Sequence, residues 1–536
     1  MSTPQLLRGE ARRFITTESL TSEQDHEQRV WDAVRDAFSD RECFGYSHYP
    51  LYASIGESMA EPDILVADQE LGIQLIEVRP YTLEDVDDVD GEIWRLAGSD
   101  QRKTTPSKTA SKKLQKLISS VEGDRLFRMI GGHPFIALPN MTRKDWEDQG
   151  FDSKDSTATL LFGDDMGPKT LMQRIKDADA LITPRTLTDE QWTHLQQAFG
   201  GTEIYQKRAE EQVHDLDKRS GVVEELEQRL YALDLQQEHI GKEIPLGPQR
   251  IRGIAGSGKT VLLCKKAAHM HLKHPNWHIA LVFFTRSLYD QVRSLTNQWI
   301  KKFSGGKQQS YDSSHLHILH AWGAQDQRGL YGEICRHHNV ERLTPSDLDH
   351  KFVEGLAEAC KRFLEDNTVT PMYDAILIDE GQDLVVADHL RYEGRQPIYW
   401  LAYEALRPVS SDDDSRRLIW AYDEAQSLDS LKIPQAKELF GDDLSRIVSG
   451  SYPGGIRKSE IMSRCYRTPG PILVAAHAIG MGLKRNGDMV AGFTRQEDWE
   501  TIGYEVDGNF TASGNQITLL RPGENSPNPL PKLWDG

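Results

Sequence analysis

Residues 251–260 read IRGIAGSGKT. Gly253, Gly258, Lys259 and Thr260 satisfy the spacing G-x-x-x-x-G-K-[ST], with Gly256 and Ser257 inside the loop. The strand-like stretch "RIRGI" precedes it and a helical run, "TVLLCKKAAHM", follows. Strand, glycine-rich loop and helix in that order make the spacing a phosphate-binding signal rather than a chance turn. Glycines let backbone N–H groups approach a polyphosphate, and the helix N-terminus adds its positive dipole. Lys259 then supplies charge to the β and γ phosphates, while the Thr260 hydroxyl is placed to ligate Mg²⁺.

Working outward, the chain after residue 240 alternates short apolar runs with helical patterns. The runs are "RIRGIAG", "HIALVFFT", "LHILHAW", "AILIDE" and "RLIWAYD". Apolar on both faces and spaced for crossover helices, they predict buried strands of a parallel α/β sheet. "DAILIDEGQDL" ends its strand in Asp379 and Glu380. The carboxyl ends of such strands are where nucleotide sites lie. There Asp379 is suited to hold the magnesium and Glu380 to polarise the attacking water.

Together "GIAGSGKT", "IDEGQD", "AYDEAQS" and "RCYRT" resemble, in order and approximate spacing, the motifs of superfamily-1 DNA helicases of the UvrD/Rep type. The resemblance covers roughly residues 230 to 520. It implies a RecA-like P-loop domain that uses ATP and Mg²⁺ and acts on DNA, single-stranded or as tailed duplex. "LDLQQEHI" resembles the adenine-reading motif and points to Gln237. "FFTRSL" resembles a motif contacting single strands through Thr285 and Arg286, and "LHAW" another DNA-facing motif at His320. By the same resemblance Gln382 and Gln426 couple nucleotide state to DNA, Tyr466 stacks on the base, and Arg467 touches the γ-phosphate. Two positions depart from the pattern: Tyr422 stands where the family has glycine, and Cys465 where it has asparagine. The family's final motifs, a "KGLE"-like stretch and a "TRA" arginine, are not found before Gly536. The expectation is therefore a second motor domain that is only begun, to be supplied by a longer polypeptide or a protein partner.

Upstream, "EPDILVADQELGIQLIEVR" sets Asp63 fourteen residues before Glu77, on two strands joined by a turn at Gly72. Carboxylates on adjoining strands can share a divalent metal that activates water against a phosphodiester. With Glu27 on a preceding helix, the stretch resembles the nuclease-related (NERD) branch of the PD-(D/E)xK nucleases, Glu27, Asp63 and Glu77 matching its acidic positions. The family's lysine is replaced by Arg79, which stays charged and cannot handle a proton. Two readings stay open, metal-dependent cleavage and a nuclease-shaped DNA-binding or structural domain. Lys108, Lys112, Lys113 and Lys116 form a basic helix that is either a DNA contact or a solvated face.

The totals agree with this layout. A chain of 536 residues holds several domains. The net charge of −19 argues against a surface coated with nucleic acid, but not against a local basic groove. No apolar run is long enough for a membrane span, and "MSTPQLLRGEARRF" has no signal core. Five scattered cysteines without a CxxC pair suit a reducing cytoplasm, and His315, His317, His337 and His338 lack partners at metal-ligand spacing.

The predicted organisation is a flexible segment over 1–24, a nuclease-related α/β domain over 25–200 and a helical linker over 201–235. A RecA-like domain over 236–470 and a partial second motor domain over 471–536 follow. "EDVDDVDGE" is read as an acidic loop. The functional expectation is an ATP-dependent DNA helicase or translocase fused to a nuclease-related domain, serving DNA repair or defence against foreign DNA. The alternatives are a nucleotide-gated DNA-binding or regulatory subunit and an ATP-gated metal nuclease.

Overall fold

The protein is described by a computed structural model. It covers residues 13–19, 24–49, 61–98, 103–121, 130–151, 158–189, 191, 192, 195, 199, 235–304, 306–324, 327–410, 414–423, 436–480, 496–509 and 516–526. Residues 201–234 of the predicted helical linker and the proposed coupler Gln426 lie outside the described residues. The chain is mixed α/β and divides into two compact units. One comprises Met1–Ile204 with Pro453–Ile456, the other Tyr205–Tyr452 with Arg457–Gly536.

The first unit is built on a six-stranded sheet. Its strands are β1 (Phe14–Thr16), β2 (Cys43–Ser47), β3 (Ile64–Asp68), β4 (Gly72–Val78), β8 (Gly132–Leu138) and β9 (Thr159–Phe162), in that spatial order. The meander from β2 to β4 is antiparallel, while β1 pairs with β2, β8 with β4 and β9 with β8 in parallel. Strand periodicity sorts the side chains. Leu65, Ala67, Ile73 and Leu75 pack with Ala110, Leu114 and Leu117 of helix α2 (Pro106–Val121). Val66, Ile76 and Val78 pack with Val30, Trp31 and Val34 of helix α1 (Asp25–Ala37).

Two expectations are corrected in this unit. Phe14–Thr16, placed in the flexible N-terminus, forms β1, because Ile15 is buried in the core. The acidic "loop" is largely strand: β5 (Val86–Asp90) pairs antiparallel with β6 (Ile93–Leu96), and β6 with β7 (Lys103–Thr104). Val86 is buried while Asp87 is exposed, and the acids around Val86 hide that one inward-facing residue.

The second unit carries an all-parallel sheet in the order β12-β11-β13-β14-β10-β15. The strands are β10 (Gln249–Gly253), β11 (Ile279–Phe283), β12 (Leu316–His320), β13 (Ala375–Ile378), β14 (Leu418–Asp423) and β15 (Ser459–Met462). Ile279, Leu281, Ala375, Leu377, Ile419 and Ala421 face one core. Ala280, Val282, Ile376, Ile378, Leu418 and Trp420 face the other. Both sheet faces are covered, which is why β11 to β14, buried along their whole length, read as mostly apolar runs. The segment after β15 adds a helix over Gly470–Gly480, another over Gln496–Thr501, and a hairpin of β16 (Glu505–Asp507) and β17 (Thr518–Leu520). There Leu473, Trp499, Ile502 and Tyr504 pack with Cys465 and Ile254.

Candidate functional sites

Because every strand of the second sheet runs the same way, their carboxyl ends share one edge. Pairing places Gly253 opposite Asp423 of β14 and Met462 of β15, so the phosphate-loop sequence leaves the sheet between those two strands. Gly256 and Gly258 take φ of 78° and 86°, left-handed values that L side chains pay to adopt. The helix Lys259–Lys273 starts directly after Gly258.

Lys259 is buried. Its ammonium donates to the carbonyls of Gly253 (3.1 Å) and Ile254 (3.0 Å) and meets Asp423 Oδ2 at 3.3 Å. Thr260 Oγ1 donates to Asp379 Oδ2 at 2.7 Å. Asp379 is buried just beyond β13, and its second oxygen, Oδ1, has no hydrogen-bond partner. Burial first, and then the charge of Glu380, push the Asp379 carboxyl up to about 6 against the pull of Thr260 and Lys259. An under-satisfied, hard oxygen donor beside a threonine hydroxyl suits a divalent cation.

Glu380 sits at φ 48°, ψ 48°, a left-handed conformation that is strained for glutamate. Its Oε2 accepts from Gln382 Nε2 at 2.6 Å, and Gln382 Oε1 accepts from the Asp423 backbone N–H at 3.0 Å. Gln382 therefore bridges the two acidic strand ends. Buried Gln237 donates to the Ser257 carbonyl at 2.7 Å, tying the helix Leu235–Lys242 to the loop.

From the other side, Tyr466 N–H donates to the Gly256 carbonyl at 2.9 Å and Cys465 Sγ lies 3.2 Å from the Ala255 carbonyl. The "RCYRT" segment thus lies against the phosphate-loop sequence, with Arg467 exposed. The signal missed in the sequence was β15, whose "SEIM" alternates intermediate and buried positions over only four residues.

Thr285 and Arg286 follow β11 on the same edge, and both are exposed. His320 ends β12 but is buried. Its Nε2 pairs with the Phe284 carbonyl at 2.6 Å, and its Nδ1 accepts from the backbone N–H groups of Trp322 and Gly323 at 3.1 Å. With both ring nitrogens engaged, His320 shapes the loop after its strand and has no free nitrogen to offer a ligand. Burial, with the charge of Arg286, holds its pKa below the usual imidazole value although the Phe284 carbonyl opposes this.

In the first unit the acids predicted to act together are only partly assembled. Glu77, in register with Ile73 and Leu75, faces α2, and Asp63 immediately precedes β3. Arg79 joins them, with Nη1 at 3.2 Å from Asp63 Oδ2 and Nη2 at 2.9 Å from Glu77 Oε2. Burial and the neighbouring Glu77 charge raise the Asp63 carboxyl to about 6, opposed by Arg79, Lys113 and the Val78 N–H. Glu27 lies on α1, which packs on the other face of the sheet, and bonds His48 at 2.9 Å and Gln24 at 3.3 Å. Burial works to raise its carboxyl, but the hydrogen bond and charge of His48, with His26 and Gln24, outweigh burial and hold it low.

Lys113 is the residue that the sequence misplaced. It stands three residues after Ala110 and four before Leu117, on the stripe of α2 that faces the sheet. Lys108, Lys112 and Lys116 are exposed, whereas Lys113 turns inward to Glu77. Among the described residues no group of three or more His, Cys, Asp or Glu side chains is placed to hold a metal ion. No described helix is long and apolar enough to cross a membrane.

No protein-family model matches the chain, and no curated protein matches it.

Proposed function

We propose that this chain is an ATP-dependent motor on DNA, of the superfamily-1 helicase kind, carrying a nuclease-related unit. The observation that carries the reading is the 2.7 Å contact of Thr260 with Asp379, at the edge where Lys259 meets Asp423. A phosphate loop alone would suit many nucleotide-binding proteins. A threonine hydroxyl and an under-bonded aspartate side by side, with Glu380 next in the chain, fit Mg·ATP hydrolysis. Mg²⁺ would lie against Thr260 and Asp379 and draw charge from the phosphates, which the loop N–H groups and Lys259 would cradle. Glu380 is the residue suited to orient the attacking water. Gln382, bonded to both Glu380 and the Asp423 backbone, is placed to pass nucleotide state onward. Exposed Thr285 and Arg286 open the same edge to a DNA strand.

The test is steady-state ATPase with and without single-stranded DNA. DNA-stimulated turnover should be lost in Glu380→Gln. Lys259→Ala should weaken Mg·ATP binding by roughly 10–100-fold, the equivalent of one charged hydrogen-bonding group. Titration calorimetry giving equal affinities for wild type and Lys259→Ala would end the nucleotide reading. ATP binding without any DNA-dependent turnover would make the chain a nucleotide-gated DNA-binding subunit instead.

A further inference from the structure

The acids of the nuclease-related unit already have their counter-charges. Lys113 Nζ lies 2.7 Å from each oxygen of Glu77, whose side chain is 1% exposed. Oε2 of Glu77 also accepts from Arg79 at 2.9 Å. Asp63 Oδ2 accepts from the Val78 N–H at 2.7 Å and from Arg79 at 3.2 Å. Lys113 is fixed in turn by the Glu61 carbonyl at 2.7 Å. Three of the four carboxylate oxygens are thus bonded to N–H donors, and two side-chain cations balance two carboxylates.

A divalent ion needs several hard oxygen donors, commonly with carboxylate charge in excess. Here the third acid expected, Glu27, is held by His48. An ion entering between Asp63 and Glu77 would also meet a guanidinium and an ammonium at contact range, where like charges repel strongly. The donor set does not fit a divalent cation while Lys113 is in place.

We infer that the nuclease-related unit is metal-independent, with Arg79 from the end of β4 and Lys113 from α2 standing where a divalent cation would otherwise bridge Asp63 and Glu77. The inference rests on the nuclease-like reading of this acid pair and departs from it in the metal. Lys113 is then a positioning residue. Removing its ammonium leaves Glu77 buried with Arg79 alone to share between two carboxylates, and reopens the pair to a cation.

The experiment is Mn²⁺ binding to the full chain without nucleotide, followed by electron paramagnetic resonance of free Mn²⁺. It uses an Asp379→Asn background, so that the motor acid contributes no signal. With Lys113 intact, no Mn²⁺ site that Asp63→Asn removes should be found. Lys113→Met should create such a site, melt at a lower temperature than its parent, and regain that loss with Mn²⁺. Lys113→Gln serves if the methionine variant does not fold, and the arm with Lys113 intact needs neither. Asp63-dependent Mn²⁺ binding with Lys113 intact, or Mn²⁺-dependent plasmid nicking that Asp63→Asn abolishes, overturns the inference. A Lys113 variant that folds but gains no Mn²⁺ site would instead defeat the nuclease-like reading beneath it, and the inference with that reading.

Discussion

At the scale of one residue, Asp379 carries a burial cost that its neighbours do not fully offset. Its carboxyl is buried, carries one unpartnered oxygen and is raised to about 6. In the unfolded chain the same group ionises near its ordinary value of 3.8. Between those values the folded protein holds the proton that the unfolded chain has released, so stability falls as pH rises from 3.8 to about 6 and stays lowered above that. Asp379→Asn removes the buried charge. At pH 7 the variant should therefore be more stable than wild type, by on the order of 1.4 kcal/mol for each unit of displaced pKa. The difference should shrink to nothing near pH 4, and Mg²⁺-dependent hydrolysis should be lost at every pH. Thermal melts of both proteins at the two pH values check this, and a gap that does not change with pH would contradict it. The acid was legible in the sequence because four apolar residues lead straight into it. Its missing bond was not, since that depends on what the third dimension brings beside Oδ1.

At the scale of elements, the phosphate-loop sequence is held between its own helix and the segment after β15. A Cβ on Gly256 would come within 2.9 Å of Arg467 Cβ and 3.0 Å of Cys465 Sγ, at a φ of 78°. Gly256→Ala should cost roughly 1–2 kcal/mol from the left-handed conformation alone. It should also push the 465–467 segment away and weaken nucleotide binding. Denaturant unfolding and calorimetry on the same variant check both, and a variant as stable as wild type with unchanged affinity would show that the two segments do not press together. Strands β11 to β14 could be read because burial on both faces leaves a mostly apolar run, and β10, which alternates buried with half-buried positions, because the glycine-rich loop follows it. Strand β5 could not, since its one buried residue, Val86, is followed mostly by acids, and β15 could not, since it alternates half-buried with buried positions and includes a serine and a glutamate. Lys113 was hidden for another reason. A lysine among lysines suggests a solvated face, and only its phase against Ala110, Leu114 and Leu117 shows that it points at the sheet.

At the scale of the whole molecule, the question is how a chain of net charge −19 would hold a polyanion. At physiological ionic strength fields decay over about 8 Å, so distant acids are screened and the groups at the contact decide. For a single strand, each phosphate neutralised steepens the fall of log K with log salt by roughly 0.7. Arg286 is exposed at the carboxyl edge of the parallel sheet, beside Thr285. If it meets one phosphate, Arg286→Ala should lower the slope for single-stranded DNA by roughly 0.7. Affinity should fall about equally for all sequences, because a phosphate contact reads no base. Mg·ATP affinity measured without DNA should stay as in wild type, since Arg286 follows β11 while the phosphate loop follows β10. Fluorescence anisotropy with two oligonucleotides of different sequence, over a salt series, measures slope and affinity together. An unchanged slope and affinity in Arg286→Ala would remove this edge as the path of the strand, and a loss confined to one sequence would make the contact a base rather than a phosphate.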